Sequence, residues 1–554
     1  MVLKGVNLML KLKVNNKVVE VNNNNISLEE LAKIYGIEAY CAKVNNRIRE
    51  LSYVIEKECE IEFLDLTSVD AVNVYSTSLR YLITMAIKNI YPDARVIINY
   101  SISRSFFIEV RNIGPMNHKI LANIKEELDR IIAENYSVKR ISMKKEEALK
   151  IYNSLGYEDK AKILAYRPEN NVNFYECDGY LNYMFGYMVP KTGFIKEYNL
   201  RLYDKGFILQ YPRAEVGGVI PEFKDAPTFS KALRQANHWG RIINGGYVAM
   251  MNQMIEEGRD VEFINLCETK HNAMLAELGT QIKNNIESIR LIAIAGPSSS
   301  GKTTFTNRVR IELMSRGIKP LMISIDDYYK PKSEAPKDEF GQPDLEHLEA
   351  LDIDLFNEQM FALINGEEVT LPIFNFQTGK REWGKTVKLD EHSPILIEGI
   401  HALNDDLTPS IPTHLKYKIY IAPQAQLHLD DHNPISITDI RLLRRMVRDK
   451  KFRNSSAEET MSMWPSVRRG EFRWIYDNQE GVNFVFNSEL TYELCVMKKY
   501  ALPMLEEIDK ESPYYIQANR LIKFLKYFKD ISDEWIPCNS ILREFIGGSS
   551  FYRR

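Results

Sequence analysis

An apolar run, Leu291 to Ala295, leads into Gly296-Pro-Ser-Ser-Ser-Gly301-Lys302-Thr303, and a helical pattern opens directly after it. The pattern GxxxxGK[ST] between a strand and a helix is a phosphate-binding loop, and it commits this part of the chain to a parallel α/β sheet. Glycines let backbone N–H groups turn inward around phosphate oxygens, and the helix N-terminus adds its positive dipole end. Gly296, Ser298, Ser299, Ser300, Gly301, Lys302, Thr303 and Thr304 are therefore the candidate nucleotide-phosphate-binding residues. Lys302 reaches the β and γ phosphates, Thr303 sets its hydroxyl on Mg²⁺, and Thr304 caps or packs.

The acidic residues at neighbouring strand ends must say what such a loop is used for. The strand LMISI ends in Asp326-Asp327-Tyr328-Tyr329, where a carboxylate can accept a hydroxyl proton; a surface turn is the other reading. The strand PILIEGI carries Glu398 inside an apolar run, either as a ligand near Mg²⁺ or as half of a structural ion pair. Downstream, Arg441, Arg444, Arg445 and Arg448 recur at helical spacing and Arg453 follows. Arginine forks suit phosphate oxygens, so a lid helix over ATP is one reading and a solvated basic face or RNA patch the other.

The 554 residues exceed one hydrophobic core, and the chain divides by pattern. Residues 1–66 read as a β-grasp-like domain, with alternation from residue 7 and a short helix SLEELAKIYG; 67–225 read as an α+β unit. Residues 226–288 read as a polar helical connector, 289–488 as the parallel-sheet domain, and 489–554 as a helical extension without a legible motif. His238-Trp239 lies in the connector, where an aromatic in a helical pattern is more often core than binding site. The balance of 72 basic against 75 acidic residues argues against global attraction to nucleic acid or membranes. No window has the 18 or so uncharged apolar residues of a spanning helix, and six scattered cysteines without a CxxC pair indicate reduced thiols; a cytoplasmic location is expected.

Four segments in order, GPSSSGKTT, SIDDYY, ILIEGIHAL and RLLRRMVRD, resemble the uridine/cytidine kinase and phosphoribulokinase family over about residues 290–480. The resemblance implies an ATP-dependent small-molecule kinase with Asp326 as general base, Lys302, Thr303 and Glu398 serving ATP and Mg²⁺, and Arg445, Arg448 and Arg453 holding phosphates. LEHLEALDIDLF is similar to the family's F-D-H-P-x-A-F-D stretch, which sets Glu346 and His347 near a sugar, with Tyr329 beside Asp326. PIFNF resembles P-x-Y-D-F and sets Phe374 and Arg381 near a base. Three departures stand out: Glu346 for aspartate, Phe374-Asn375 for Tyr-Asp, and Asn454 for the lid glycine.

The first 65 residues resemble a TGS-type ubiquitin-like domain, and the next 150 resemble the editing domain of threonyl-tRNA synthetase through VYSTSLRYLITMAIKNIYPDARV and ECDGYLNYMFGYMVPKTGFIKEYNL. The family's HxxxH pair falls on Tyr75 and Leu79, and its C-x-x-x-H histidine falls near Tyr187, leaving only Cys177. No metal or hydrolytic editing site is expected there.

The fold expected is thus α/β and multidomain: β-grasp, editing-like α+β domain and P-loop kinase. The expected function is phosphorylation of a nucleoside, uridine or cytidine favoured, at its 5′-hydroxyl. The alternatives are a same-fold kinase for another alcohol and an ATP-gated RNA-binding regulator. RNA through the N-terminal half and a homo-oligomer are the partners left open.

Overall fold

A computed structural model of the chain describes residues 10–21, 25–331, 333–337, 341, 344–375, 378–390, 393–424 and 426–551. The start of the first alternating pattern, residues 7–9, lies outside them.

The N-terminal unit is a five-stranded mixed sheet with a helix, Leu28–Ile34, whose Ser27 and Glu30 cap each other's backbone in a capping box. Its apolar alternation, Leu10, Leu12 and Val14, faces a small closed core. The second unit is built on the helix Val69–Ile90, buried along most of its length, and on a four-stranded sheet and a three-stranded sheet. Tyr75 and Leu79 are core residues here: the Tyr75 hydroxyl donates to the Glu197 carbonyl at 2.7 Å and Leu79 has no exposed surface. Cys177 is buried in the same cluster. Among the described residues, no helix is long and apolar enough to cross a membrane.

The C-terminal half holds a parallel sheet of five strands: β1 (Leu291–Ala295), β2 (Leu321–Ser324), β3 (Ile395–Glu398), β4 (Lys416–Ala422) and β5 (Phe484–Asn487). Their order across the sheet is β2-β3-β1-β4-β5. Every residue of β1 is buried, as expected of a strand covered on both faces. Ile292 and Ile294 point into one core, while Leu291, Ala293 and Ala295 point into the other. Helix α1 (Lys302–Ser315) follows β1; helices α2 (Ile437–Arg453) and α3 (Ala457–Trp474) lie between β4 and β5.

The stretch read as a polar connector, 226–288, is more than a link. Its helices contribute Val248, Met251, Phe263, Ile264, Leu278 and Ile282 to the core under β1. Trp239 packs at the edge of that core under the Lys270 ammonium, and His238 is exposed. The extension after residue 488 enters the same core through Ile541, Leu542 and Phe545.

A hairpin between β4 and α2, residues 428–434, docks the two halves together. The Lys160 ammonium and the Asp430 carboxylate meet at 2.7 Å with side chains 1% and 0% exposed. Arg95 pairs with Asp431 at 2.7 Å, and Arg80 donates to the His432 carbonyl at 2.8 Å. A charge pair this deeply buried persists only when further hydrogen bonds satisfy it, and Asp430 also accepts from the Asn433 amide and the His432 N–H.

Candidate active site

Residues 296–301 carry the chain from the C-terminal end of β1 into α1. A side chain on Gly296 would stand 1.9 Å from the Ile421 carbonyl, so only glycine lets this turn close against β4. Gly301 adopts φ +87° as the N-cap of α1 and offers no side-chain cap to the first amides of the helix. The Lys302 ammonium folds back and donates to the carbonyls of Gly296 at 2.9 Å and Pro297 at 3.2 Å. Burial lowers its pKa, while Glu398, Asp326, Glu544 and Glu346 act in the opposite direction, so these four carboxylates share its surroundings. Thr303, the second residue of the helix, is half-buried, and Thr304 is buried.

The strand ends place the acids. Glu398 is the last residue of β3 and lies in register with Ile294 of β1 and Ser324 of β2. Asp326 and Asp327 follow β2 directly in a short helical turn, Ile325–Tyr328. Burial, reinforced by Asp326, pushes the Glu398 carboxyl up to about 7 against the pull of Lys302. Burial and Asp327 likewise raise Asp326, with Lys302 and Arg453 opposing. The donors gathered at these strand ends are hard carboxylate and hydroxyl oxygens, and of these the Glu398 carboxylate and the Thr303 hydroxyl are of the type that suits a magnesium ion.

A second wall beside the acids is built from the β2 turn outward. Tyr329 donates to the Leu345 carbonyl at 3.0 Å, and its ring lies 5.6 Å from that of the buried Phe374. The Phe374 N–H donates to Asp327 at 3.2 Å, which ties this wall to the acidic turn. Arg381 pairs with Asp352 at 2.9 Å and donates to the carbonyls of Tyr328 and Tyr329, acting as a strut for that turn. Burial raises Glu346, while Arg445 and Lys302 draw it down. The His347 ring stands edge-on to Trp474 at 4.8 Å, with Arg473 against its Nε2 at 3.3 Å. His401, which the sequence reading did not single out although it follows the E-G-I of β3, donates from Nε2 to the Glu346 carbonyl at 3.1 Å. Burial holds its pKa near about 4, so it is neutral.

The basic row on α2 is not a solvated face. Arg441 and Arg444 are buried and hold the loop backbone: Arg441 donates to the Ser298 carbonyl at 3.0 Å, and Arg444 donates to the Ser299 carbonyl at 3.3 Å. Their charges are met by Glu471 and Glu493. Glu471 also accepts from the Ser298 N–H at 3.1 Å, a role with no local signature in the sequence. Arg445 reaches the Ser298 hydroxyl at 2.8 Å. Arg448 and Arg453 gather on the buried Asp449 carboxylate at 2.7 Å and 3.6 Å, and the Arg453 charge is also felt at Asp326.

The profile of the phosphoribulokinase/uridine kinase family matches residues 291–487. A uridine kinase from Bacillus pumilus is 32% identical over 179 residues, covering 32% of this chain and 76% of that protein. The chain belongs to this family. Through its N-terminal half, this phosphoribulokinase/uridine kinase family member is also similar to threonine–tRNA ligases. That of Acetivibrio thermocellus is 25% identical over 197 residues, 35% of this chain, and that of Marinobacter nauticus 28% identical over 163 residues, 29% of this chain. The chain spans only 31% and 25% of the length of those ligases.

Proposed function

We propose that the chain transfers the γ-phosphoryl group of ATP to a hydroxyl of a small metabolite, with the 5′-hydroxyl of a pyrimidine nucleoside favoured. The observation that carries this reading is the convergence of Lys302, Asp326 and Glu398 at the C-terminal ends of β1, β2 and β3. There an ammonium and two carboxylates lie close enough to act on one another, which supports a charge-neutralising lysine, a proton acceptor and a metal ligand in one site. Lys302 neutralises charge on the transferring group. Asp326 orients the acceptor hydroxyl and takes its proton as the O–P bond forms and the bond to the leaving ADP breaks. When bound, Mg²⁺ would be held by Thr303 and Glu398 and would supply charge neutralisation at the phosphates. Arg445 joins α2 to the loop at Ser298, so lid closure and loop order are linked, while Arg448 and Arg453 become available to phosphate on leaving Asp449.

Glu346, His347 and His401 favour a hydroxyl-rich acceptor such as a ribose, and the Phe374 wall favours a flat apolar ring. Phe374 has no hydroxyl to enforce one base, so selectivity among bases is expected to be loose. The test is acceptor-dependent ADP release with Mg-ATP across uridine, cytidine, purine nucleosides, sugar phosphates and small alcohols, with product masses. A nucleoside monophosphate supports the reading; turnover only with a non-nucleoside alcohol moves the substrate class while keeping the chemistry.

A further inference from the structure

The C-terminal segment reaches the phosphate loop from more than two hundred residues away. Glu544, in the short helix Arg543–Ile546, accepts a hydrogen bond from the Thr304 N–H at 2.9 Å. Thr304 is the third residue of α1, and its amide belongs to the open first turn that a GxxxxGK[ST] loop offers to a nucleotide's phosphates. Glu544 also acts on Lys302 and on Glu398, so its charge is felt in the same pocket.

The segment is seated, not loose. Ile541 packs on the Gly301 α-carbon so closely that a Cβ there would lie 2.4 Å from its methyl. Ser540 donates to the buried Glu268 at 2.6 Å, and the Arg444 guanidinium lies over the Phe545 ring at 5.0 Å. Lys451 of α2 donates to the Ile546 carbonyl, which ties the segment to the lid helix as well.

We infer that the segment 540–547 is a built-in competitor for the nucleotide site, with the Glu544 carboxylate standing where a phosphate oxygen must bind. This rests on the kinase reading above and adds its regulation. A carboxylate and a phosphate cannot both lie against the Thr304 N–H without like-charge repulsion in a partly desolvated site. Nucleotide therefore enters only as Glu544 withdraws, and an effector or partner that draws the segment away activates the enzyme.

The experiment is calorimetric titration of the full chain with Mg-ADP for the wild type, Glu544→Gln, and Glu534→Gln on the exposed face of the same extension. Removing the competing charge is expected to tighten binding about 10- to 100-fold in Glu544→Gln, the worth of one charged hydrogen bond. Glu534→Gln is expected to match the wild type. Hydrogen exchange of residues 540–547 in the wild type is expected to speed up when Mg-ADP binds, a readout that needs no variant. Measurable wild-type binding with equal or weaker affinity in Glu544→Gln, or exchange that slows with nucleotide, overturns the inference alone. Absence of nucleotide binding in every protein overturns the kinase reading and this one with it.

Discussion

Glu398 sets up a conflict between stability and function that can be measured. Its carboxyl ionises at about 7 when folded, against 4.5 for an ordinary glutamate. At one pKa unit to about 1.36 kcal/mol, the ionised form costs the empty protein about 3 kcal/mol. Because the residue is only partly buried, that is an upper figure. The sign follows from proton counting. Between pH 4.5 and about 7 the folded chain binds more protons at this site than the unfolded one, so stability falls as pH rises through that window and is level above it.

Glu398→Gln cannot ionise and escapes the fall. Its advantage over wild type is expected to be near zero at pH 4 and to grow to as much as about 3 kcal/mol by pH 8, while turnover collapses. All five tryptophans, at positions 239, 383, 464, 474 and 535, lie after residue 225, so urea unfolding followed by tryptophan fluorescence reports the C-terminal half selectively. A stability difference that does not change with pH, or a variant less stable than wild type at pH 8, refutes the electrostatic picture of the pocket.

Two further predictions concern the scaffold. Lys160→Met leaves Asp430 buried without its cation and is expected to cost about 3–5 kcal/mol; hydrogen exchange in 428–434 then speeds up, and unchanged exchange refutes the hairpin as the joint between the halves. Glu471→Gln leaves Arg441 buried without its counter-charge and loosens the Ser298 N–H. Mg-ADP affinity is expected to drop about tenfold or more, and wild-type affinity would show that the loop holds its shape without this carboxylate.

What could be read from the sequence was local. The phosphate loop declares itself in consecutive residues, and β1 to β4 announce a parallel sheet because short, mostly apolar, β-branched strands alternate with helical stretches. Asp326 and Glu398 stood out as acids set against apolar runs, Asp326 at the end of one and Glu398 inside another. Contacts across the chain were not. Glu471 lies 173 residues from Ser298 and Glu544 lies 240 residues from Thr304, and nothing in either helix marks its glutamate as different from a surface one. The arginine row on α2 was ambiguous because helical spacing alone does not tell a buried clamp from a solvated face; only packing against the loop decides. The stretch 226–288 looked polar because its helices bury one stripe each, and the stripe meets its partner only in the folded core.

Phosphoryl transfer with Asp326 as the base is tested by acceptor-dependent ADP release from the wild type and Asp326→Asn side by side, with Mg-ADP binding measured on both. The expected result is turnover in the wild type, a fall of about 10²- to 10⁴-fold in the variant, and unchanged nucleotide affinity. Wild-type turnover in Asp326→Asn, or a wild type that binds nucleotide and phosphorylates no acceptor, would contradict it.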